Sequence, residues 1–196
     1  MNKAIRIIYD EHRSISAVLS GLKSLAELAR DPGLQPDFKV FRAMIYYIDA
    51  FPERLHHPKE DDQLFARLLR RDPSASALIE ELRGEHVQGA KLVRELEQAL
   101  FAFELSWPAG ADRFGAVVEK YAQFHWQHMR KEEQTLLPLA ERALPPEDWL
   151  AIESAFAGNE DPIADMREQD FARLFQCIVS LAPDPVGLGD RWKKPG

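Results

Sequence analysis

Two segments of this chain repeat one arrangement, a histidine followed four residues later by a glutamate, at His56 and Glu60 and again at His128 and Glu132. On an α-helix that spacing stacks imidazole and carboxylate on one face, a turn apart. The next step of four brings Leu64 after Glu60 and Leu136 after Glu132, so each polar pair sits on a stripe that continues as apolar. Few folds accommodate this, because an ionisable pair on a buried face needs a compensating partner.

The surrounding pattern is helical throughout. Ile5, Ile8, His12, Ile15, Leu19, Leu22 and Ala26 recur in steps of three and four, with Glu11 and Arg13 expected to turn out toward solvent, and Asp31-Pro32-Gly33 ends this first helix. A second begins at Pro36-Asp37 and carries Phe38, Phe41, Ile45, Ile48, Pro52, His56, Glu60, Leu64 and Leu68. Pro52 and Pro58 each remove a backbone donor, which predicts a kinked rather than a divided helix, because the stripe runs through both. After Asp72-Pro73-Ser74 a third helix presents Ile79, Leu82, His86, Ala90, Val93, Leu96, Leu100 and Phe103. A fourth presents Phe114, Val117, Tyr121, Phe124, His128, Glu132, Leu136 and Leu139, with Pro138 tolerated near its end.

The first two helices answer the next two: His12 corresponds to His86, and the pair His56 and Glu60 to the pair His128 and Glu132, at a near-constant offset. Two helical hairpins of this kind predict an all-α, up-down-up-down four-helix bundle at 1–145, with a helical extension at 146–182 packed on it and a flexible Pro/Gly-rich tail at 183–196. A lone histidine on an apolar stripe is usually a hydrogen-bonded core residue. Four of them on four helices, converging with two glutamates that no lysine or arginine on the inner stripes can neutralise, point instead to bound cations. Six donors exceed one tetrahedral ion, and carboxylates bridge ions ~3.5–4 Å apart, so two metals fit better. Nitrogen and oxygen donors without thiolate suit iron or manganese, although affinity order also admits zinc, nickel or copper.

The bulk properties exclude other classes. A net charge of -7 and a pI near 5.4 argue against a nucleic-acid partner. Cys177, lying among Phe175, Ile178 and Val179, reads as a small buried hydrophobe. No basic n-region with an apolar run opens the sequence and no stretch has the ~18 apolar residues of a membrane span, so a cytoplasmic protein without a membrane partner is expected.

At His12, His56-x-x-x-Glu60, His86 and His128-x-x-x-Glu132, over about residues 3 to 142, the sequence resembles the hemerythrin family, specifically the bacterial hemerythrin-like branch of HHE cation-binding domains. The resemblance implies a non-haem di-iron centre with an oxo or hydroxo bridge. The two glutamates would bridge both irons, His12 and His56 would terminate one, and His86 and His128 the other. Oxygen-carrying hemerythrins have a further histidine one turn after the third-helix histidine; that place is Ala90 here. His125, one turn before His128, is expected to act behind the ligands as a hydrogen-bond partner, with a solvent-facing place at the end of the bundle close behind and a role as substitute ligand also open. His57, about 100° around the helix from His56, is expected at solvent or a helix boundary and not as a ligand. Glu53 makes a ferritin-like Glu-x-x-His with His56, but that arrangement is not repeated at His125 and His128.

Two functions are compatible with such a site. One is a binding protein that takes up oxygen or nitric oxide, or holds iron, as a sensor or scavenger, within an apolar wall of Ile8, Tyr9, Tyr121 and Phe124. The other is a di-iron oxidoreductase or iron-delivery protein in oxidative or nitrosative stress and iron–sulfur cluster repair, with Tyr9, Tyr121 and His125 as proton donors one turn from the ligands. A purely structural metal would need a closed coordination shell.

Overall fold

The computed structural model describes residues 2–157, 178–183 and 186–192, and these are helical with no strand among them. Cys177 and the expected stop at Gly158-Asn159 lie outside the described residues. Helix α1 spans Lys3–Leu28 and is capped by Asn2, whose side chain accepts from the Ala4 amide at 2.9 Å. Helix α2 runs unbroken over 38–71 and opens on Asp37, which accepts from the Lys39 amide at 2.9 Å. A single turn over Pro73–Ala75, capped by Asp72, leads into α3 at Ser76–Ser106. Helix α4 occupies 111–143, and α5 occupies Pro146–Ala157 with Glu147 and Asp148 in its first turn, where the helix dipole favours acids.

The prolines neither break α2 nor leave it regular. Over Asp49–His56 and again over Glu60–Phe65 its turns widen to the π form, and α4 does the same over Glu132–Leu136. In both helices a wide i→i+5 bond closes on the residue just before a proline: the His57 amide reaches Pro52 O ahead of Pro58, and the Leu137 amide reaches Glu132 O ahead of Pro138. The missing proline donor is thereby absorbed into a widened turn. A wide turn also rotates the residues beyond it about the helix axis, so three consecutive residues of α2, Leu55, His56 and His57, are buried.

Ion pairs join neighbouring helices. Arg42 meets Glu104 at 2.6 Å and Arg83 meets Asp61 at 3.4 Å between α2 and α3, Lys120 meets Glu95 at 2.7 Å between α3 and α4, and Lys23 meets Glu119 at 2.8 Å between α1 and α4. The two pairs between α2 and α3 join 42 to 104 and 61 to 83, so these two helices are antiparallel in a helical bundle. Its apolar interior is in two parts. One holds Leu19, Phe41, Met44, Leu96, Phe103 and Phe114; the other holds Ile8, Leu64, Leu68, Leu82 and Leu136, together with Trp149, Ile152 and Phe156 of α5. Within the stretch expected as a flexible tail, Trp192 is buried with its ring 5.9 Å from Phe41. No described helix is long and apolar enough to cross a membrane.

Phe41 is fully buried at the centre of the larger part. Replacing it by alanine should cost about 3–5 kcal/mol in a denaturant titration; a loss below ~1 kcal/mol would show that this cluster does not carry the fold.

Candidate metal centre

Between the two apolar parts lies a layer of ionisable side chains. His12, His56, His86, His128, Glu60 and Glu132 are all buried, both glutamates completely. Their Nε2 atoms face one another in two pairs, His12 with His56 and His86 with His128, each at 3.1 Å. The glutamates divide their oxygens between the pairs. Glu60 Oε1 stands 3.5 Å from His56 Nε2 while its Oε2 stands 3.6 Å from His86 Nε2. Glu132 Oε2 stands 3.4 Å from His12 Nε2 while its Oε1 stands 3.3 Å from His128 Nε2.

Each histidine turns its other nitrogen to a carboxylate on a different helix. His12 Nδ1 meets Glu133 at 2.9 Å, His56 Nδ1 meets Glu11 at 2.7 Å, His86 Nδ1 meets Asp61 at 3.2 Å and His128 Nδ1 meets Glu85 at 2.9 Å. An ionised carboxylate only accepts, so the proton of each neutral ring belongs on Nδ1 and the lone pair on Nε2. Two lone pairs at 3.1 Å make no hydrogen bond with each other. All four glutamate oxygens also lack a hydrogen-bond partner while fully buried. Donor atoms ~2.0–2.2 Å from one ion stand about 3.0–3.5 Å apart, which matches these separations. The residues therefore fit a metal centre, and two groups could hold an ion: His12, His56, Glu60 and Glu132, and His57, Glu60, His86 and His128. Glu132 Oε1 stands 3.7 Å from His86 Nε2, so it belongs to the second group as well.

The electrostatics show what replaces positive charge when no ion is bound. Burial first, then repulsion from Glu132, pushes Glu60 well above the ordinary carboxylate range, so the pair keeps one proton there. His86, although burial opposes it, is raised to about 9 by its hydrogen bond to Asp61 and the negative charge of Glu132. His56 is driven well below its ordinary value by burial and then by the neighbouring imidazoles.

Several expected positions are corrected. His57 does not face solvent: it is 4% exposed and its ring stacks on His86 at 4.3 Å. The widened turn of α2 rotates it inward, an effect that ideal α-helical spacing omits. Glu11 does not rotate away either, since it holds His56. Ala90 is only half-buried, and Gly89 takes the inward place. His125 is buried beneath the ligands, with Nε2 3.2 Å from Glu53 Oε1, and Tyr121 Oη donates to the same oxygen at 3.1 Å. Tyr9 is not brought into this layer; its hydroxyl lies 3.5 Å from the Glu133 carbonyl. Glu53, whose spacing to His56 points to no site by itself, is therefore part of the centre. Burial raises it, but the imidazoles of His125 and His57 beside it overcome this and hold it at about 2.

Residues 3–140 match the family model of the hemerythrin HHE cation binding domain. The chain belongs to the hemerythrin family. Comparison with curated proteins gives no match. The hemerythrin match runs from α1 into the last turn of α4 and ends before α5, whose Phe156 sets its ring edge-on to His56 at 6.1 Å.

The carboxylates behind the histidines should govern affinity. Glu11→Ala is expected to weaken metal binding ~10–100-fold in a chelator competition, with helicity kept; unchanged affinity would show that Glu11 does not orient His56. The metal-free protein should also lose stability in acid. His56, His57 and His125 all have depressed proton affinity in the fold, with burial the largest cause. The unfolded chain then takes up more protons below pH ~6.5, so their stability contribution is full above that pH and is lost as pH falls. Glu60 opposes this, as one group against three, and raised His86 matters only between about 6.5 and 9, where it loses stability as pH rises. The melting temperature of metal-free protein should fall from pH 7 to 5.5; a rise would contradict these assignments.

Proposed function

We propose that the chain is a non-haem di-iron protein of the bacterial hemerythrin-like branch, an up-down-up-down four-helix bundle that binds oxygen or nitric oxide, or holds iron, as a sensor or scavenger. One observation carries this reading: two pairs of facing Nε2 atoms with the oxygens of Glu60 and Glu132 divided between them. In it, His12 and His56 would hold one ion and His86 and His128 the other, with Glu60 and Glu132 supplying oxygens to both. The donor set contains no thiolate, which favours iron or manganese and leaves zinc feasible. A bound iron pair supplies redox chemistry and coordination positions for a small diatomic ligand.

The chain's own residues prepare that centre. Glu11, Asp61, Glu85 and Glu133 fix the rings so that Nε2 faces inward. Leu64 and Leu136 close the glutamate side, and Phe156 covers His56, which together keep bulk water out. Tyr121 Oη keeps its proton on the hydrogen bond to Glu53, since burial raises the phenol well above its ordinary value.

A second reading, an oxidoreductase acting on peroxide or nitric oxide or an iron-delivery protein in cluster repair, is favoured by the buried row Tyr121, Glu53, His125 and His57, which can hold and move protons beside the ions. Mixing the reduced, iron-loaded protein with oxygen, nitric oxide or peroxide in a stopped-flow instrument separates the two. A lasting one-to-one spectral adduct with oxygen or nitric oxide is expected. Repeated consumption in the presence of a reductant would transfer the assignment to the enzyme, and absence of any spectral change would overturn both.

A further inference from the structure

Glu53 and His57 have no place in the six-residue ligand set, yet the fold buries both beside it, leaving Glu53's side chain 5% exposed. His57 offers a donor atom within 4.8 Å of those of Glu60, His86 and His128. Its Nδ1 lies 3.5 Å from Glu53 Oε2, a looser form of the contact by which the four other rings set Nδ1 against a carboxylate at 2.7, 2.9, 2.9 and 3.2 Å. Glu53 is itself fixed from α4, its other oxygen taking Tyr121 Oη at 3.1 Å and facing His125 Nε2 at 3.2 Å. Gly89 on α3 completes the enclosure, because a Cβ there would come 2.9 Å from Glu53 Oε1. The room in which α3 could hold a further imidazole is thus filled from α2.

We infer that His57, oriented by Glu53, is a fifth imidazole ligand, donated by α2 to the ion that His86 and His128 hold. This rests on the two-ion reading above and deepens it. The ion at His86 and His128 then has five protein donors, His57, His86, His128 and one oxygen from each glutamate. The ion at His12 and His56 has four, two imidazoles and the remaining oxygens. The coordination positions open to an outside ligand are therefore concentrated at the His12 and His56 ion. Without His57 the two ions would be alike, each with two imidazoles and one oxygen from each glutamate.

The test uses the full-length iron-loaded protein, with azide as probe and Mössbauer spectroscopy as a readout independent of activity. Wild type should hold two irons with two distinct quadrupole doublets and take one azide per iron pair. His57→Ala should keep two irons, release one of them ~10–100-fold more readily to a chelator, shift the doublet of that iron and admit a second azide. Glu53→Gln, which keeps size and removes the charge, should shift the same doublet without loss of iron, and it decides the matter if His57→Ala does not fold. Two irons with unchanged doublets and a single azide in both variants would overturn the role of His57 and leave the two-ion reading standing. Wild type with fewer than two irons after iron-replete expression would overturn both together.

Discussion

Two carboxylates buried side by side set the terms for the rest of this structure. Glu60 and Glu132 are completely buried, and the imidazoles of His12, His56, His86 and His128 stand 3.3 to 3.9 Å from their oxygens. A single buried carboxylate of this kind is costly and two repel, so the metal-free chain keeps a proton on Glu60. Everything around the pair is arranged for a cation to take that proton's place. The histidines face inward by Nε2, and their outer nitrogens are committed to acids on other helices. Binding energy at such a site becomes folding energy, because the unfolded chain has no preformed site.

The acids behind the histidines follow a rule that also explains the pseudo-symmetry of the bundle. Glu11 and Glu85 each precede a ligand histidine and each hold the histidine of the next helix, His56 and His128. Asp61 and Glu133 each follow a glutamate of the centre and hold His86 and His12. Each helix thus orients a ligand on another helix, which ties the four helices together through the site. The α2 face departs from this symmetry. There the widened turn over Asp49–His56 brings Glu53 and His57 inward, while the equivalent part of α4 contributes His125 opposite them.

Much of this was legible in the sequence. Helical spacing alone places His12, His56, Glu60, His86, His128 and Glu132 on inner stripes, and the caps at Asp37 and Asp72 are where the sequence puts them. The acids next to the ligands carry a signal of their own, since Glu11 and Glu85 occupy matching places before His12 and His86. Periodicity hides it, because it assigns a residue adjacent to a buried one to solvent, whereas a long glutamate side chain can reach sideways to the neighbouring helix. His57 and Glu53 were not legible by ideal periodicity. Their inward turn depends on π-type turns that Pro52 and Pro58 induce but whose phase no fixed period describes. Gly89 in place of Ala90 follows from the same limit, since a real stripe drifts between steps of three and four.

That this layer holds two metal ions, bridged by Glu60 and Glu132, is tested most directly by anomalous X-ray scattering at the iron edge from crystals of protein expressed in iron-replete medium. Two anomalous peaks ~3.5–4 Å apart are expected, one among His12, His56 and the glutamates, the other among His57, His86, His128 and the same glutamates. A single peak midway between the two histidine pairs, or none within the layer, would contradict a bridged pair.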